Sequence, residues 1–421
     1  MDPATTNDHQ VSSSHIPDDI AFSIISKLPL KSVKRFSCVQ KSWSHLFQNS
    51  HFMSMFRNNF FKSKNDEDDD KTCLLLKEHT QSSPVYQSVC ILSSERFEDR
   101  VKLDLPSPFQ YHDNSTVSRS YINILGSASV NGTICLYESL DAFHTTTTLW
   151  NPATGEFKLI PPSFQPYSNI KFNLLPEGFG YDSVKEDYKV IHNVKDPTDY
   201  KDEWSYLPNK SDPFWETDVH ELDLNDNFWK EGEFIVDSTI DPFWEIYSLK
   251  SNSWRKLNGI DMPIPSPGRS HVNLNEFFHW LNRKDGMVSF DFSKEMFFAT
   301  ALPSDSTIIY TPAKSILVVL NGSVSLIYNY NMDYFHIWIL GELGVKESWR
   351  KIFVFGPSSY VLWFIGAGKS RIFFTEIYRY RTLKLFDFST MIEEIWNTGD
   401  SVCDQIVIYK KNLLPFGGMK N

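Results

Sequence analysis

Tight-turn signals recur along most of the chain at a nearly constant interval, and this interval constrains the fold more than any other feature. Asn131-Gly132 and Asn321-Gly322 each join two apolar runs, and Asn-Gly tolerates the positive φ angles of a two-residue hairpin turn. Asn275-Glu276 and Ala367-Gly368 occupy similar positions. Taken at positions 131, 275, 321 and 368, the turns lie 144, 46 and 47 residues apart, and 144 is three times 48. The spacing predicts a structural repeat of about 47 residues.

A second motif keeps the same interval. A strand, a polar turn and another strand follow one another at residues 150–162, 247–257, 290–303 and 386–396, with an expanded copy near Leu340. Repeats of this length with several strands each are typical of β-propeller blades. Residues 74–415 therefore predict an all-β, kelch-like β-propeller of about seven blades, with six to eight within error. A pair of antiparallel sandwiches is the alternative.

One stretch in the middle departs from this interval. Asp212–Glu216 reads DPFWE, and the same five letters recur at Asp241–Glu245, 29 residues later. The two copies indicate a local duplication that is smaller than one blade, and the sequence does not place it in the ring.

The N-terminal segment follows a helical pattern instead. Its apolar residues form two stripes at helical spacing: Ile16, Ile20, Ile24 and Leu28, then Val33, Phe36, Val39, Trp43 and Leu46. Pro17 suits the first helical position, and Pro29 predicts that the first helix ends by Leu28. So small a helical unit has more apolar surface than it can bury alone, which favours docking to a partner. An ordinary helical hairpin packed on its own chain is the alternative.

These helices resemble a known family. The residues that carry the resemblance to the F-box motif are Ile16-Pro17, Ile24-Ile25, Leu28-Pro29, Lys31-Ser32, Val33, Arg35-Phe36, Val39, Lys41–Trp43 and Leu46. Ile16 stands where Leu is commoner and Gln40 where a small residue is usual, and neither difference removes an apolar contact. The predicted fold is thus a multidomain α+β chain: a small helical F-box followed by the β-propeller.

The domain boundaries follow from these patterns. Residues 1–14 are expected to be a disordered tail, 15–61 the F-box and a linker helix, 62–72 an acidic loop, 73–415 the β domain and 416–421 a second tail. Residues 1–61 carry a net charge of +2 and the remaining 360 carry −13. A nucleic-acid binder would show the opposite bias on its large domain, so a protein partner is favoured.

The β segment also resembles a family, the plant F-box-associated type 1 (interaction) domain. The residues that carry this resemblance are Ser129–Leu136, Trp150–Gly155, Gly178–Asp182, Asp187–Ile191, Tyr247–Leu257, Phe278–Leu281, Ser348-Trp349, Tyr409, Leu413 and Leu414. Asn412 stands where that family often has Ser. The twin-glycine signature of kelch repeats is absent from the sequence.

The sequence lacks the patterns of common enzymes. Gly366–Ser370 reads GAGKS, but Trp363 stands where a phosphate-binding loop needs its first glycine. The histidines do not show zinc-ligand spacing, and there is no G-x-S-x-G motif. Five cysteines without a C-x-x-C pair indicate reduced thiols, and neither a secretory signal nor a membrane span is predicted. We therefore expect a non-catalytic protein without cofactor or metal, in the cytoplasm and/or nucleus.

Together the resemblances imply a substrate-recognition adaptor of a Skp, cullin and F-box (SCF) ubiquitin ligase. A Skp-type linker protein, and through it a cullin and a RING protein, would bind the F-box, while the β domain would bind an unknown target protein. The residues implied at the linker interface and in the F-box core are Ile16, Pro17, Ile20, Ile24, Leu28, Pro29, Val33, Phe36, Val39, Trp43 and Leu46. The alternatives are an S-locus-type pollen F-box protein that recognises ribonucleases, a non-degradative scaffold and a glycan-binding module.

Overall fold

The structure is a computed structural model, and the chain divides into two compact parts, residues 1–62 and 63–421, which are named the helical domain and the β domain. The residues that it describes are 16–28, 30–36, 38–39, 41–61, 72–80, 87–93, 99–110, 122–139, 145–163, 175–194, 243–257, 270–282, 286–303, 315–330, 334–356, 362–368, 371–376, 379–388, 390, 392–397 and 401–413. Both predicted tails, Pro29, residues 62–71 of the acidic loop and the first DPFWE copy lie outside the described residues.

Three α-helices make up most of the described helical domain: α1 (Asp18–Ile25), α2 (Leu30–Phe36) and α3 (Ser50–Phe61). Short 3-10 turns lie at Lys41–Trp43 and Leu46–Gln48. Pro17 is the N-cap of α1 and not its first helical residue, and its carbonyl accepts a hydrogen bond from the Ala21 N–H at 3.1 Å. Asp18 and Asp19 occupy the first turn, where negative charge stabilises the positive end of the helix dipole.

Aromatic side chains form the core of the helical domain. The Phe22 ring of α1 lies 5.7 Å from the Phe52 ring of α3, and Phe56 stacks on Phe52 at 6.2 Å. The Asn49 side chain accepts a hydrogen bond from the Phe52 N–H at 3.0 Å and so caps α3. The Asn59 amide donates to the Ser26 hydroxyl at 2.8 Å, which ties α3 to the end of α1. The helix predicted as a linker therefore packs as part of the helical domain.

The described part of the β domain contains 24 strands in six antiparallel units of four. In chain order the first eleven strands are β1 (Thr72–Thr80), β2 (Gln87–Ser93), β3 (Asp99–Lys102), β4 (Ile122–Val130), β5 (Thr133–Ser139), β6 (Thr145–Trp150), β7 (Phe157–Leu159), β8 (Gly178–Asp182), β9 (Asp187–Val194), β10 (Phe243–Ser248) and β11 (Ser253–Lys256).

The remaining strands are β12 (His271–Leu274), β13 (Phe277–Asn282), β14 (Gly286–Asp291), β15 (Met296–Thr300), β16 (Ser315–Leu320), β17 (Ser323–Tyr330), β18 (Tyr334–Ile339), β19 (Arg350–Phe355), β20 (Leu362–Gly368), β21 (Arg371–Glu376), β22 (Arg379–Asp387), β23 (Ile392–Asn397) and β24 (Ser401–Lys410).

The C-terminal strand completes the first unit. β24 pairs antiparallel with β1 from Thr72↔Lys410 to Thr80↔Ser401, so unit 1 has the order β24-β1-β2-β3. Units 2 to 6 are β4 to β7, β8 to β11, β12 to β15, β16 to β19 and β20 to β23. A single parallel bridge, Ile408↔Ala128, joins units 1 and 2 into one eight-stranded sheet. The predicted number of about seven blades is not confirmed, because the described strands form six units.

Apolar side chains pack between neighbouring units. Leu75 and Val407 of unit 1 cluster with Ile134 of unit 2, and a larger aromatic cluster joins units 2, 3 and 4. A further cluster joins units 4 and 5, Phe335 of unit 5 lies 4.9 Å from Phe364 of unit 6, and unit 6 packs on unit 1. Each described unit therefore contacts at least two others through apolar side chains, which requires apolar residues on both of its faces.

Three of the four predicted hairpin turns lie between neighbouring strands, and the fourth is displaced along the chain. Asn131, Asn275 and Asn321 each have a positive φ, of 50°, 56° and 44°, in the turn between the first and second strands of a unit. The prediction of a turn at Ala367-Gly368 is wrong by two residues, because Gly368 still pairs with Arg371 and Ala367 is buried within β20. The connection lies between Gly368 and Arg371, so GAGKS belongs to a hairpin and not to a phosphate-binding loop.

Candidate protein-docking site

Helix α1 is apolar on two sides. Ala21, Phe22 and Ile25 face the core of the helical domain. The stripe predicted from the sequence lies on the other side, where Ile20 is 54% and Ile24 56% exposed, and Ile16 before the helix is 58% exposed. Exposing three isoleucines at intervals of four residues costs free energy in water, since each side chain would gain about 1.5–3 kcal/mol from full burial. The stripe is therefore a candidate surface for a partner protein.

The second predicted stripe divides between core and surface. Val33 and Leu46 are fully buried, whereas Phe36 is 38% and Val39 70% exposed. Trp43 is half-buried, its ring lies 6.2 Å from the Phe36 ring, and its buried indole N–H has no hydrogen-bond partner. We name the exposed members Ile16, Ile20, Ile24, Phe36 and Val39 the apolar docking face.

The eleven predicted site residues thus occupy different environments. Pro17 is exposed and Leu28 half-buried, while Pro29 lies outside the described residues. The sequence pattern did not single out Ala21 and Phe22, although together with Ile25 they form the buried side of α1. Their spacing of three and four residues to Ile25 is the signal that marks a second stripe on the same helix.

Exposed charges accompany this surface. Lys27, Arg35 and Lys41 are exposed basic residues, and Asp18 and Asp19 are exposed at the start of α1. Exposed charges of both signs therefore accompany the apolar side chains of the helical domain, and complementary charges on a partner would speed encounter and align the two proteins.

The β domain contains a buried ion network between units 3 and 4. The Lys189 ammonium lies 2.5 Å from Asp182 Oδ2 and 2.7 Å from Glu295 Oε1, and it donates to the Phe292 carbonyl at 3.0 Å. Burial alone would raise the pKa of Glu295, but hydrogen bonds from Arg255 and Lys189 outweigh it and lower that pKa to about 2. Lys189 and Asp182 are almost completely buried, while Arg255 at the edge of the network is half exposed. The network therefore links units 3 and 4 through charges that are mostly inside the β domain.

Ser163, between β7 and β8, lies close to His192 and Glu245 of unit 3. Glu245 Oε2 accepts a hydrogen bond from the Ser163 hydroxyl and lies 2.8 Å from His192 Nε2. Burial lowers the pKa of His192, although Glu245 opposes this shift. The carboxylate stands between the hydroxyl and the imidazole, so the histidine is not placed to take a proton from Ser163 as a catalytic triad requires.

Other chemically active groups do not converge in the described residues. The described histidines, cysteines and carboxylates form no cluster able to hold a metal ion. None of the five cysteines forms a disulfide, and burial raises the pKa of Cys135 and, to about 12, that of Cys403. None of the helices among these residues has the length and apolar character needed to cross a membrane.

Comparison with known proteins identifies two family models in the chain. Residues 13–54 match the F-box domain, and residues 80–364 match the F-box associated beta propeller domain. The chain is 26% identical to F-box protein CPR1 of Arabidopsis thaliana over 347 residues, covering 80% of this chain and 72% of that protein. It is also 26% identical to Arabidopsis F-box protein At3g07870 over 343 residues, covering 81% and 72%.

Solved structures give weaker similarities. Apo AztD from Citrobacter koseri aligns with a TM-score of 0.37 at 9% identity, over 80% of this chain and 98% of that chain. The uncharacterized protein lmo1340 from Listeria monocytogenes aligns with a TM-score of 0.34 at 11% identity, over 77% and 79%. These values are too low to support a conclusion about fold or function.

Proposed function

Because the chain belongs to the F-box proteins that carry an F-box associated β-propeller domain, we propose that it is a substrate-recognition adaptor of an SCF-type ubiquitin ligase. The observation that carries this proposal is the apolar docking face of the helical domain. Five large apolar side chains are exposed beside a core that is already filled by Phe22, Phe52 and Phe56. Exposed apolar side chains of this size and number support the proposal of a protein interaction site.

The proposed partner of this face is a Skp-type linker protein. Ile16, Ile20, Ile24, Phe36 and Val39, with the neighbouring Pro17, Leu28, Pro29 and Trp43, would enter the linker groove, and Val33 and Leu46 would hold the helices in place. A cullin and a RING protein would join through the linker. The protein would act in the cytoplasm and/or nucleus, and five cysteines without a disulfide fit a reducing compartment.

The β domain is proposed to hold the target protein. We take its six units to be the blades of a ring of the F-box-associated type 1 (interaction) class, because each described unit packs between two others. Holding a target next to the charged conjugating enzyme raises the effective concentration of its lysines, which is catalysis by proximity and needs no reactive group on this chain.

The proposal is tested in cells that lack the protein. They are complemented with the wild type, with Ile20→Asp/Ile24→Asp, or with the control Val184→Asp, whose position in the β domain is 79% exposed. We expect wild type and control to restore ubiquitin-modified lysines on one set of proteins, and the double variant to restore none. Equal ubiquitination with the double variant, at equal protein level, would contradict the adaptor role.

A further inference from the structure

The chain beyond β24 continues across the first turn of unit 2. The Asn412 side-chain amide donates to the Asn131 carbonyl at 3.0 Å, and the Asn151 side-chain amide donates to the Asn412 carbonyl at 2.9 Å. The Lys410 N–H donates to the Ser129 hydroxyl at 3.0 Å. Asn412, just after β24, is therefore hydrogen-bonded to two separate turns of unit 2.

A buried tyrosine adds to these bonds. The Tyr409 hydroxyl accepts a hydrogen bond from the Ala153 N–H at 2.9 Å and donates to Asn151 Oδ1 at 3.3 Å. Tyr409 is fully buried and Asn151 nearly so. Burial raises the pKa of Tyr409 to about 12, so the hydroxyl keeps its proton at neutral pH. The Ala153 N–H also donates to Asn151 Oδ1 at 3.0 Å, so the three groups form one closed set of hydrogen bonds. Because this set is shielded from water, losing either side chain would remove buried hydrogen bonds that water does not replace.

Close packing at Gly132 shows how tightly this end is held. A Cβ atom at Gly132 would lie 2.5 Å from Asn412 Cβ and 2.9 Å from the Asn412 nitrogen. Gly322 occupies the same position in the Asn-Gly turn of unit 5, with a φ of 71° against 77° at Gly132, but a Cβ there would meet nothing within 4 Å. The two turns share their backbone conformation and differ in the approach of the C-terminal segment.

We propose that Tyr409 and Asn412 form a C-terminal clasp with Gly132 and Asn151, which holds unit 1 against unit 2. Among the described residues, backbone pairing between the two units is limited to the single bridge Ile408↔Ala128, so side chains supply the rest of the attachment. The clasp acts there together with the apolar cluster of units 1 and 2. β24 also pairs along its length with β1, and the clasp therefore couples the end of the β domain to its beginning. In this proposal the turn at Trp150–Gly155 holds the clasp in addition to joining β6 to β7.

Paired glycine variants test the clasp in the full chain. Gly132→Ala and Gly322→Ala carry the same strain from a positive φ, so their difference isolates the contact with Asn412. We expect Gly132→Ala to speed amide hydrogen exchange in β4 and β24 by roughly tenfold more than Gly322→Ala speeds it in β16 and β17. Equal effects of the two variants in their own units would overturn the proposal.

A second set of variants applies even if Gly132→Ala does not fold. Asn412→Ala should speed exchange in β4 and β24 by about three- to tenfold with little change in β16 and β17, whereas Leu413→Ala, at a position 76% exposed, should change neither. Asn151→Ala and the double variant complete a cycle, in which the two changes should combine to less than the product of their separate effects. Fully multiplicative effects, or equal acceleration in all units, would contradict a clasp. The proposed ligase role is independent of these outcomes, since linker binding is measured separately.

Discussion

In the helical domain, Ile20 and Ile24 lie side by side on α1 and remain more than half exposed, whereas in the β domain the large rings of Phe179, Phe278 and Phe290 are fully buried between sheets. The β domain also buries charges and pairs them, as at Lys189 and Asp182. The difference shows that the β domain packs its largest rings and this ion pair inside itself, while α1 keeps a stripe of large apolar side chains on the surface of the helical domain. Substitutions in the two domains should therefore differ widely in their effect on stability.

Lys189→Met should have the largest effect on stability. It leaves the buried carboxylate of Asp182 without its cation, and breaking a buried ion pair from one side costs about 3–5 kcal/mol. Urea unfolding followed by tryptophan fluorescence measures the loss. The matched control is Lys294→Met, because Lys294 pairs with Asp291 at 3.2 Å from a largely exposed position and should cost less than about 1 kcal/mol. Similar losses for the two variants would mean that the β domain does not depend on its internal charges.

Phe22→Ala should destabilise the helical domain by about 3 kcal/mol, because the ring packs on Phe52 in the core. Linker binding should weaken as a consequence of unfolding, and the loss should be relieved by lowering the temperature. The helical signal in circular dichroism against temperature gives the free energy of unfolding. An unchanged transition would show that this side of α1 is not the core.

Glu138→Gln should stabilise the β domain at alkaline pH. Glu138 is buried, and burial raises its pKa from 4.5 to about 7. The folded state therefore holds the proton more tightly than the unfolded state, so this group's contribution to stability is complete below pH 4.5 and is lost as the pH rises through 7. The variant should exceed the wild type by up to about 3 kcal/mol at pH 8, and by little at pH 4. Parallel stability curves from pH 4 to 8 would contradict this.

Ile20→Ala should have the smallest effect on the stability of the helical domain, below about 0.5 kcal/mol, because more than half of the Ile20 side chain is already exposed to water. The same substitution should weaken linker binding. Comparing it with Phe22→Ala on the same helix separates the docking side from the core side. A loss of stability equal to that of Phe22→Ala would remove the distinction between the two sides.

Local turn chemistry was predictable from the sequence. Asn131 and Asn321 adopt the positive φ that their Asn-Gly pairs indicate, and the interval between them marks the repeat. The interval did not give the number of units, because it treats every stretch of about 47 residues as one blade. The connection between β9 and β10 spans residues 195–242, which is about one interval, and this explains an expectation of seven against six described units.

Contacts between distant residues were not predictable from one sequence. The F-box pattern placed apolar residues on α1 but did not tell which side of the helix is buried, because both stripes have helical spacing. Likewise, nothing in the letters around Asn151 and Asn412 shows that they meet, since they lie 261 residues apart. Such contacts depend on how the sheets pack, and the structural preferences of single residues and short segments do not determine that packing.

The most direct test of the contrast is the affinity of the full chain for a purified Skp-type linker protein, measured by isothermal titration calorimetry. Ile24→Glu places a charge on the apolar docking face, and Val184→Glu places the same charge at an exposed position of the β domain. Ile24→Glu should weaken binding at least tenfold without lowering the temperature of unfolding, while Val184→Glu should match the wild type. Wild-type affinity with Ile24→Glu would contradict the account.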